Sequence, residues 1–489
     1  MDFLDPTSKR SYYIRLFVGF ILTAVVIALA TTILALITSG FTINRKTGKI
    51  VQNGLIFINS RPVAATIYVN HKSVGTTNAR LVRSSGDYDI SLYAPGYYTW
   101  SNNLNLIGGT VEEITYPTLF PLKTRITNID ALSSEPSVFT QTPNRQWLLV
   151  SSSTQPNSFD VISQTNINTP ITTVTIPSNS LVSNVGANSF TVVGWSTDNK
   201  NVLLEDEYNG VTNYIVFNYT NPSASYNVNQ TFTQSFTSCE LLNGAYNKTL
   251  LFDQPSGSLY SGDLSTKQTT QLLSNVLAYS AYGKNQILYA SSIANKSGLT
   301  PIRLYNFTND YALKYIQSTS NYILDIASYG GNFYYVLGGG SKYDYIYQNV
   351  LNQLSGDSKK LPVPYTLMVN SMQAQNITAS QAGRFLSLQS GDNFSVFDIY
   401  SGNHYRYQIN TTGNQPFAIW MDDNRLESVD SNQLYIWDYD GTNLVKLNKV
   451  SNTVNGLFNN NSSAVYYLTT ISSGSSWEVT RAGLVASKP

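Results

Sequence analysis

The stretch STDNKNVLLED, residues 196–206, decides how this chain folds. A polar corner of Ser, Thr, Asp, Asn and Lys runs directly into the apolar Val202, Leu203 and Leu204. Turn residues followed at once by a short apolar run describe a strand entering a core. The same element returns as TPNRQWLLVSS (142–152), GAYNKTLLFDQ (244–254), AYGKNQILYAS (281–291) and SYGGNFYYVLG (328–338). It returns again as SQAGRFLSLQS (380–390), MDDNRLESVDS (421–431) and NNNSSAVYYLTT (459–470). Aligned at Trp147, Val202, Leu250, Gln286, Phe333, Phe385, Leu426 and Val465, the copies recur every 36 to 55 residues. A second strand with its own turn follows, as in SLYSGDLST, IRLYNFTN, FSVFDIYSGN and QLYIWDYDGTN. Strand-turn-strand-turn at this period, without helical periodicity, predicts a β-propeller of about eight blades, with seven also compatible. TRITNIDAL (124–132), just before the first blade, could supply an outer strand beside SWEVTRAGL (476–484).

These units resemble the WD40-like repeats of bacterial TolB-type propellers, in which Ser-Pro-Asp-Gly-Lys precedes a buried strand. STDNKNVLL is the nearest copy, and most others have lost the proline and glycine. The resemblance covers about three quarters of the chain and implies the fold, not a site.

Upstream, no charged residue occurs between Leu16 and Asn44. LFVGFILTAVVIALATTILALI (16–37) is roughly 33 Å of helix, enough to cross a bilayer core. No small-x-small cleavage site follows it, so an uncleaved signal anchor is expected. Lys9, Arg10 and Arg15 before the span nearly balance Arg45, Lys46 and Lys49 after it. The short N-terminal tail and the large C-terminal part favour a cytoplasmic N-terminus.

Between the span and the propeller lies NSRPVAATIYVNHKSVGTTNARL (59–81), which reads as strand, turn, strand. GLIFINS (54–60) is a short buried strand. Ile67 and Val69 share one face of ATIYVN, with Tyr68 on the other. GDYDISLYAPGY (86–97) sets Tyr88, Ile90 and Leu92 on one face, and EEITYPTL (112–119) adds another strand. Alternating antiparallel strands over about 65 residues suggest a small β-sandwich. The order Ser60, Pro62, TIYVN, Gly75-Thr76, Leu81, Gly86, Tyr88 and Gly96-Tyr97 resembles a PEGA domain. The Pro-Glu-Gly-Ala tetrad has become Pro62-Val63-Ala64-Ala65, and Thr77 stands where proline is usual. The resemblance implies an accessory module of a bacterial or archaeal envelope protein and transfers no catalytic residue.

The composition narrows the chemistry. Only 12% of residues are charged, and 30 basic residues nearly cancel 29 acidic ones, leaving +1. That excludes bulk attraction to nucleic acid. Cys239 is the only cysteine, so there is no intramolecular disulfide, no lipoprotein anchor and no cysteine zinc site. His71 and His404, the only histidines, fall in different domains, and SGNHYRY reads as a surface hairpin. LGGGSK (337–342) lacks the phosphate-loop spacing. The acids Glu205, Asp206, Glu207, Asp422, Asp423, Asp438 and Asp440 are the candidates for catalysis. Neighbours on a strand point to opposite faces, however, and Asp-Gly is first a turn. DYDGTN starts like a calcium loop but lacks its glutamate. Trp195 and Trp420 read as core. About nine Asn-x-Ser/Thr sequons match chance in so Asn-rich a chain. Tyr97, Tyr98 and Trp100 in APGYYTW, three aromatics after a glycine turn, form the candidate binding surface.

The expected chain is mainly β. Its parts are a cytoplasmic tail (1–13), a transmembrane signal anchor (14–39), a linker (40–53), a PEGA-like β-sandwich (54–120) and a β-propeller (121–489). The expected function is a non-enzymatic, single-pass, extracytoplasmic protein of the bacterial cell membrane. Its propeller would bind or scaffold envelope glycans or proteins, without cofactor, metal or nucleic acid. The alternatives are a glycan hydrolase using paired carboxylates and an architectural part of a surface layer or secretion complex.

Overall fold

The structure is a computed structural model describing all residues except 1–5, 44–47, 183–187, 340–342, 356–363, 371, 411–416, 452–453, 471–475 and 486–489. Arg45, Lys46 and the end of the LGGGSK loop therefore lie outside the described residues. The chain divides into two units, Met1–Pro121 and Leu122–Pro489.

The first unit opens with a helix, Pro6–Thr38, so helical structure begins inside the segment expected as a tail. Proline suits the first helical turn, where its missing N–H has no partner to lose. Ser11–Thr38 is long and apolar enough to cross a membrane, and none of it is buried against protein. The threonine hydroxyls within the apolar run and at its end are satisfied internally. Thr23, Thr31, Thr32 and Thr38 each donate to the carbonyl four residues back, at 2.8–3.0 Å. That arrangement suits a helix with no water to bond. Gly40, at φ 81, ends it in the left-handed conformation favoured after a helix C-terminus.

The expected linker 40–53 is partly strand. Phe41–Ile43 pairs with the start of Ile50–Ile58, extending the sandwich to the helix end. One sheet is built on Ile50–Ile58, with Ala79–Ser84 antiparallel on one edge. Val111–Ile114 lies on the other edge in parallel, where the sequence suggested only antiparallel pairs. The second sheet orders Lys72–Thr76, Thr66–Val69, Gly86–Tyr93 and Trp100–Leu106. The last strand escapes sequence reading because its outward face is Ser and Asn. Ile56, Ile58, Ile67, Ile90 and Leu92, all fully buried, come from both sheets and make one core.

The second unit is a propeller of eight four-stranded antiparallel sheets. Blades 1 to 7 span 139–175, 189–227, 238–273, 276–316, 323–370, 376–408 and 419–449. Blade 8 takes three strands from 457–483 and its fourth, Arg125–Leu132, from before blade 1. Each of the eight recurring elements forms the second strand of its blade. First strands touch between blades 2 and 3 and along the run from blade 4 to blade 7. The core is a series of seams. Phe159, Phe190 and Phe217 fill the seam between blades 1 and 2, with ring centroids 5.4–5.7 Å apart. Leu148, Val150 and Ile162 of blade 1 meet Tyr466, Leu468 and Val479 of blade 8.

The recurring polar corner has a local cause. In blade 2, Asp198 accepts from the Lys200 backbone N–H at 2.9 Å and from Asn201 Nδ2 at 2.8 Å, and Ser196 donates to it. Desolvation would push its carboxyl up, but these donors hold it below the usual range. Thr142, Ser380 and Asn459 do similar work in blades 1, 6 and 8. The corners also lock neighbouring blades. Asn144 N–H donates to Asn199 Oδ1 at 2.9 Å, and Thr197 N–H to Gly244 O at 2.9 Å. Gly383, at φ 77, is needed there, because a Cβ would stand 2.2 Å from Ser328 O of blade 5.

Candidate functional site

The structure separates the three aromatics of APGYYTW. Trp100 is only 2% exposed and packs edge-on against Tyr116, with centroids 5.8 Å apart. It is a core residue, which corrects its place in a binding surface: the strand after the turn points it inward. Tyr97 and Tyr98 are half-buried, Tyr97 leans on the same core, and Tyr98 N–H donates to Phe120 O. We expect Trp100→Ala to cost about 3–5 kcal/mol and abolish the sandwich's thermal transition. Unchanged melting with a lost binding activity would instead restore the surface role.

Most of the candidate acids are held in hydrogen bonds, and Glu207 is exposed. Glu205 accepts from Tyr214 Oη at 3.1 Å, and buried Asp206 from Asn188 Nδ2 at 2.7 Å. Asp422 pairs with Arg425, and Asp423 accepts from the Ala382 N–H of blade 6. Asp438 accepts from Asn443 Nδ2 at 2.9 Å, and Asp440 from Thr442 Oγ1 at 2.6 Å. DYDGTN is thus a self-capped turn. Among the described residues no three His, Cys, Asp or Glu side chains gather as metal ligands would. His404 is half-buried, its Nε2 2.5 Å from Ser395 Oγ, rather than on the surface. Burial, then Arg406, pushes its pKa down. Cys239 is buried and its thiol is pushed up, chiefly by desolvation. Trp195 and Trp420 donate from Nε1 to Thr140 Oγ1 and Thr378 O of the preceding blades.

What the sequence did not reveal is a groove along the seam between blades 3 and 4. One cleft of about 470 Å³ is lined by Leu272, Ser274, Asn275, Tyr289, Arg303 and Tyr305, among others. A second, of about 650 Å³, is lined by Asn243, Asn247, Lys248, Gln268, Lys284 and Phe307, among others. Leu272 lines both, so the two clefts adjoin. Tyr305 and Phe307 stack at 5.3 Å with planes 25° apart, one in each cleft. Phe307 occupies the first central position of the hairpin Asn306–Asn309, closed by Asn306 N–H to Asn309 O at 3.0 Å. Its φ is 66, where a two-residue hairpin normally places glycine. Holding a bulky side chain there costs on the order of 1–3 kcal/mol. Asn306 Oδ1 helps by accepting from Thr308 N–H and Asn309 N–H.

Most charges in the groove are already matched. Arg303 Nε reaches both Asp310 oxygens at 2.9–3.0 Å, and Tyr289 Oη donates to the same carboxylate at 2.8 Å. Desolvation, then that carboxylate, pushes the Tyr289 phenol up. Lys248 pairs with Asp263, whose pKa falls to about 2 through its hydrogen bonds to Lys248 and Ser265. Lys284 has no acidic partner among the described residues. A spread of amides and hydroxyls, two stacked rings and one spare cation can hold a polar chain, but they offer no acid–base pair.

Residues 53–117 match the PEGA domain family, so the sandwich is a PEGA domain. No curated protein matches the chain. Among solved structures, oligogalacturonate lyase from Vibrio parahaemolyticus is similar over 74% of this chain and 98% of its own, at 7% identity and TM-score 0.38. An oligogalacturonate lyase in complex with manganese covers the same shares at 8% identity and TM-score 0.39. Hsv2 from Kluyveromyces lactis covers 59% of this chain and 97% of its own, at 13% identity and TM-score 0.36. Likeness at this level assigns nothing to this chain.

Proposed function

We propose that this chain is a binding protein of the bacterial envelope. In this reading the helix Pro6–Thr38 is its single membrane anchor, with the N-terminus cytoplasmic and the PEGA domain and propeller outside. The propeller binds envelope glycans or proteins without catalysing a reaction. The observation that carries this reading is the groove between blades 3 and 4, polar and aromatic but without a catalytic pair. The acids that line the groove, Asp310 and Asp263, are each paired with a cation, and most of the acids that the sequence offered hold hydrogen bonds elsewhere in the blades. Inverting and retaining glycoside hydrolysis both need two facing carboxyls about 5 to 10 Å apart. Propellers suit a binding role because short turns fix rigid seams between blades.

Two measurements test it together. Protease added to intact cells should cut the propeller while a cytoplasmic control survives, and the full chain in detergent should be retained on purified envelope polysaccharide. A propeller still protected after any outer layer is stripped places it in the cytoplasm and ends this reading.

A further inference from the structure

Resting on that binding reading, we propose that the seam between blades 3 and 4 is a site for acidic saccharide chains, with Tyr305 and Phe307 as the stacking platform and Lys284 as the partner of a sugar carboxylate. Three observations converge on this.

The first is the platform. Sugar rings present C–H faces that pack on aromatic rings, and a stacked pair offers more apolar surface than one ring. Tyr305 and Phe307 join the two clefts, so a chain lying along the seam passes both. Phe307 sits where the hairpin itself asks for glycine, and its half-buried ring packs in part on the core shared by blades 3 and 4 while lining the cleft with the rest.

The second is the lining. Asn243, Asn247, Gln268, Ser274 and Asn275 are neutral, short and able both to donate and to accept, as sugar hydroxyls require. A peptide strand would instead look for a row of open backbone groups beside side-chain pockets.

The third is the charge count. Asp310 holds Arg303, and Asp263 holds Lys248. Each of these cations is neutralised before any ligand arrives. Among the described residues Lys284 is the one lining cation without an acid, which leaves the groove a single positive charge to offer. A neutral chain gains nothing from that charge. A chain with one carboxylate per few sugars gains an ion pair at the rim.

The test uses the full-length chain in detergent micelles, titrated calorimetrically with alginate oligosaccharides and, separately, with neutral cello-oligosaccharides. The wild-type chain should bind alginate more tightly, with the margin shrinking as salt is added. Lys284→Gln should weaken alginate about tenfold and leave the neutral chain unchanged. Phe307→Gly should weaken both at a temperature where the variant still melts cooperatively, relief of the turn offsetting part of the packing lost against the core of blades 3 and 4. That result separates loss of the platform from loss of fold.

Equal affinity for both sugars with Lys284→Gln silent overturns the acidic selectivity and leaves the binding reading standing. Full alginate affinity in both variants moves the site away from this groove. No saccharide binding at all, or a protein ligand captured at the groove in its place, overturns the inference and the glycan half of the binding reading with it.

Discussion

A chain cut after Thr470 is expected to lose the cooperative folding of the whole propeller rather than of one blade. The cut removes Trp477–Gly483, which lies between Ala464–Thr470 and Arg125–Leu132 and pairs with both. Val479 and Ala482 are fully buried, and their loss uncovers Tyr466, Leu468, Leu148 and Val150 along the seam to blade 1. Large apolar side chains contribute about 1.5–3 kcal/mol each, against a total stability of about 5–15 kcal/mol. Losing one seam therefore consumes most of that margin. The truncated chain should show no sharp thermal transition for the propeller and should be digested by dilute protease. A separate peptide covering 476–485 should restore protection. A cut chain that melts like the intact one would make this strand dispensable.

Glu427→Gln is expected to stabilise the protein at neutral pH and to change little at pH 4. Glu427 is fully buried on the second strand of blade 7. Its Oε2 accepts from Gly456 N–H at 3.2 Å, while Oε1 has no hydrogen-bond partner among the described residues. Desolvation pushes its carboxyl far above the ordinary range, against the pull of Gly456 N–H and the more distant Arg145. Unfolded, the same group ionises near 4.3. Below that pH both states hold the proton and the burial carries no pH penalty. As pH rises past it, the unfolded chain releases a proton that the folded chain keeps, so stability falls. Glutamine carries no such proton and can still accept from Gly456. A gain of about 1–3 kcal/mol at pH 7.5, seen in denaturant titrations, should vanish at pH 4. Equal effects at both pH values would mean that packing rather than ionisation sets the difference. Asp344, pushed up to about 6 by burial, adds a penalty of the same sign as pH rises from about 4 through 6.

Much of the architecture could be read locally. The polar corner at 196–201 and its relatives mark second strands because an Asx or hydroxyl side chain must cap the turn that delivers them. The apolar run at 16–37 and the alternation around Ile67 and Ile90 announced a helix and a sandwich by the same logic. First strands were harder. Ile419–Trp420 and Leu457–Phe458 are two residues long and carry no periodicity. Glu427 passed unnoticed among more prominent acids, although a lone carboxylate inside the buried run LESV (426–429) was a signal. Trp100 was misplaced for a related reason: an aromatic after a glycine turn reads the same whether the next strand points it in or out.

The sequence by itself determined which segments become helix, sandwich and blade, since those choices depend on residues within a few positions of one another. The tertiary structure alone decided which side chains meet. Asp206 finds Asn188, Arg145 reaches the Met421 carbonyl 276 residues away, and Tyr305 and Phe307 share a groove with Asn243 and Lys284. The first joins neighbouring strands of blade 2, the second links blade 1 to blade 7, and the groove lies where blade 3 packs on blade 4. Backbone periodicity reports only that a face is buried, not what lies against it.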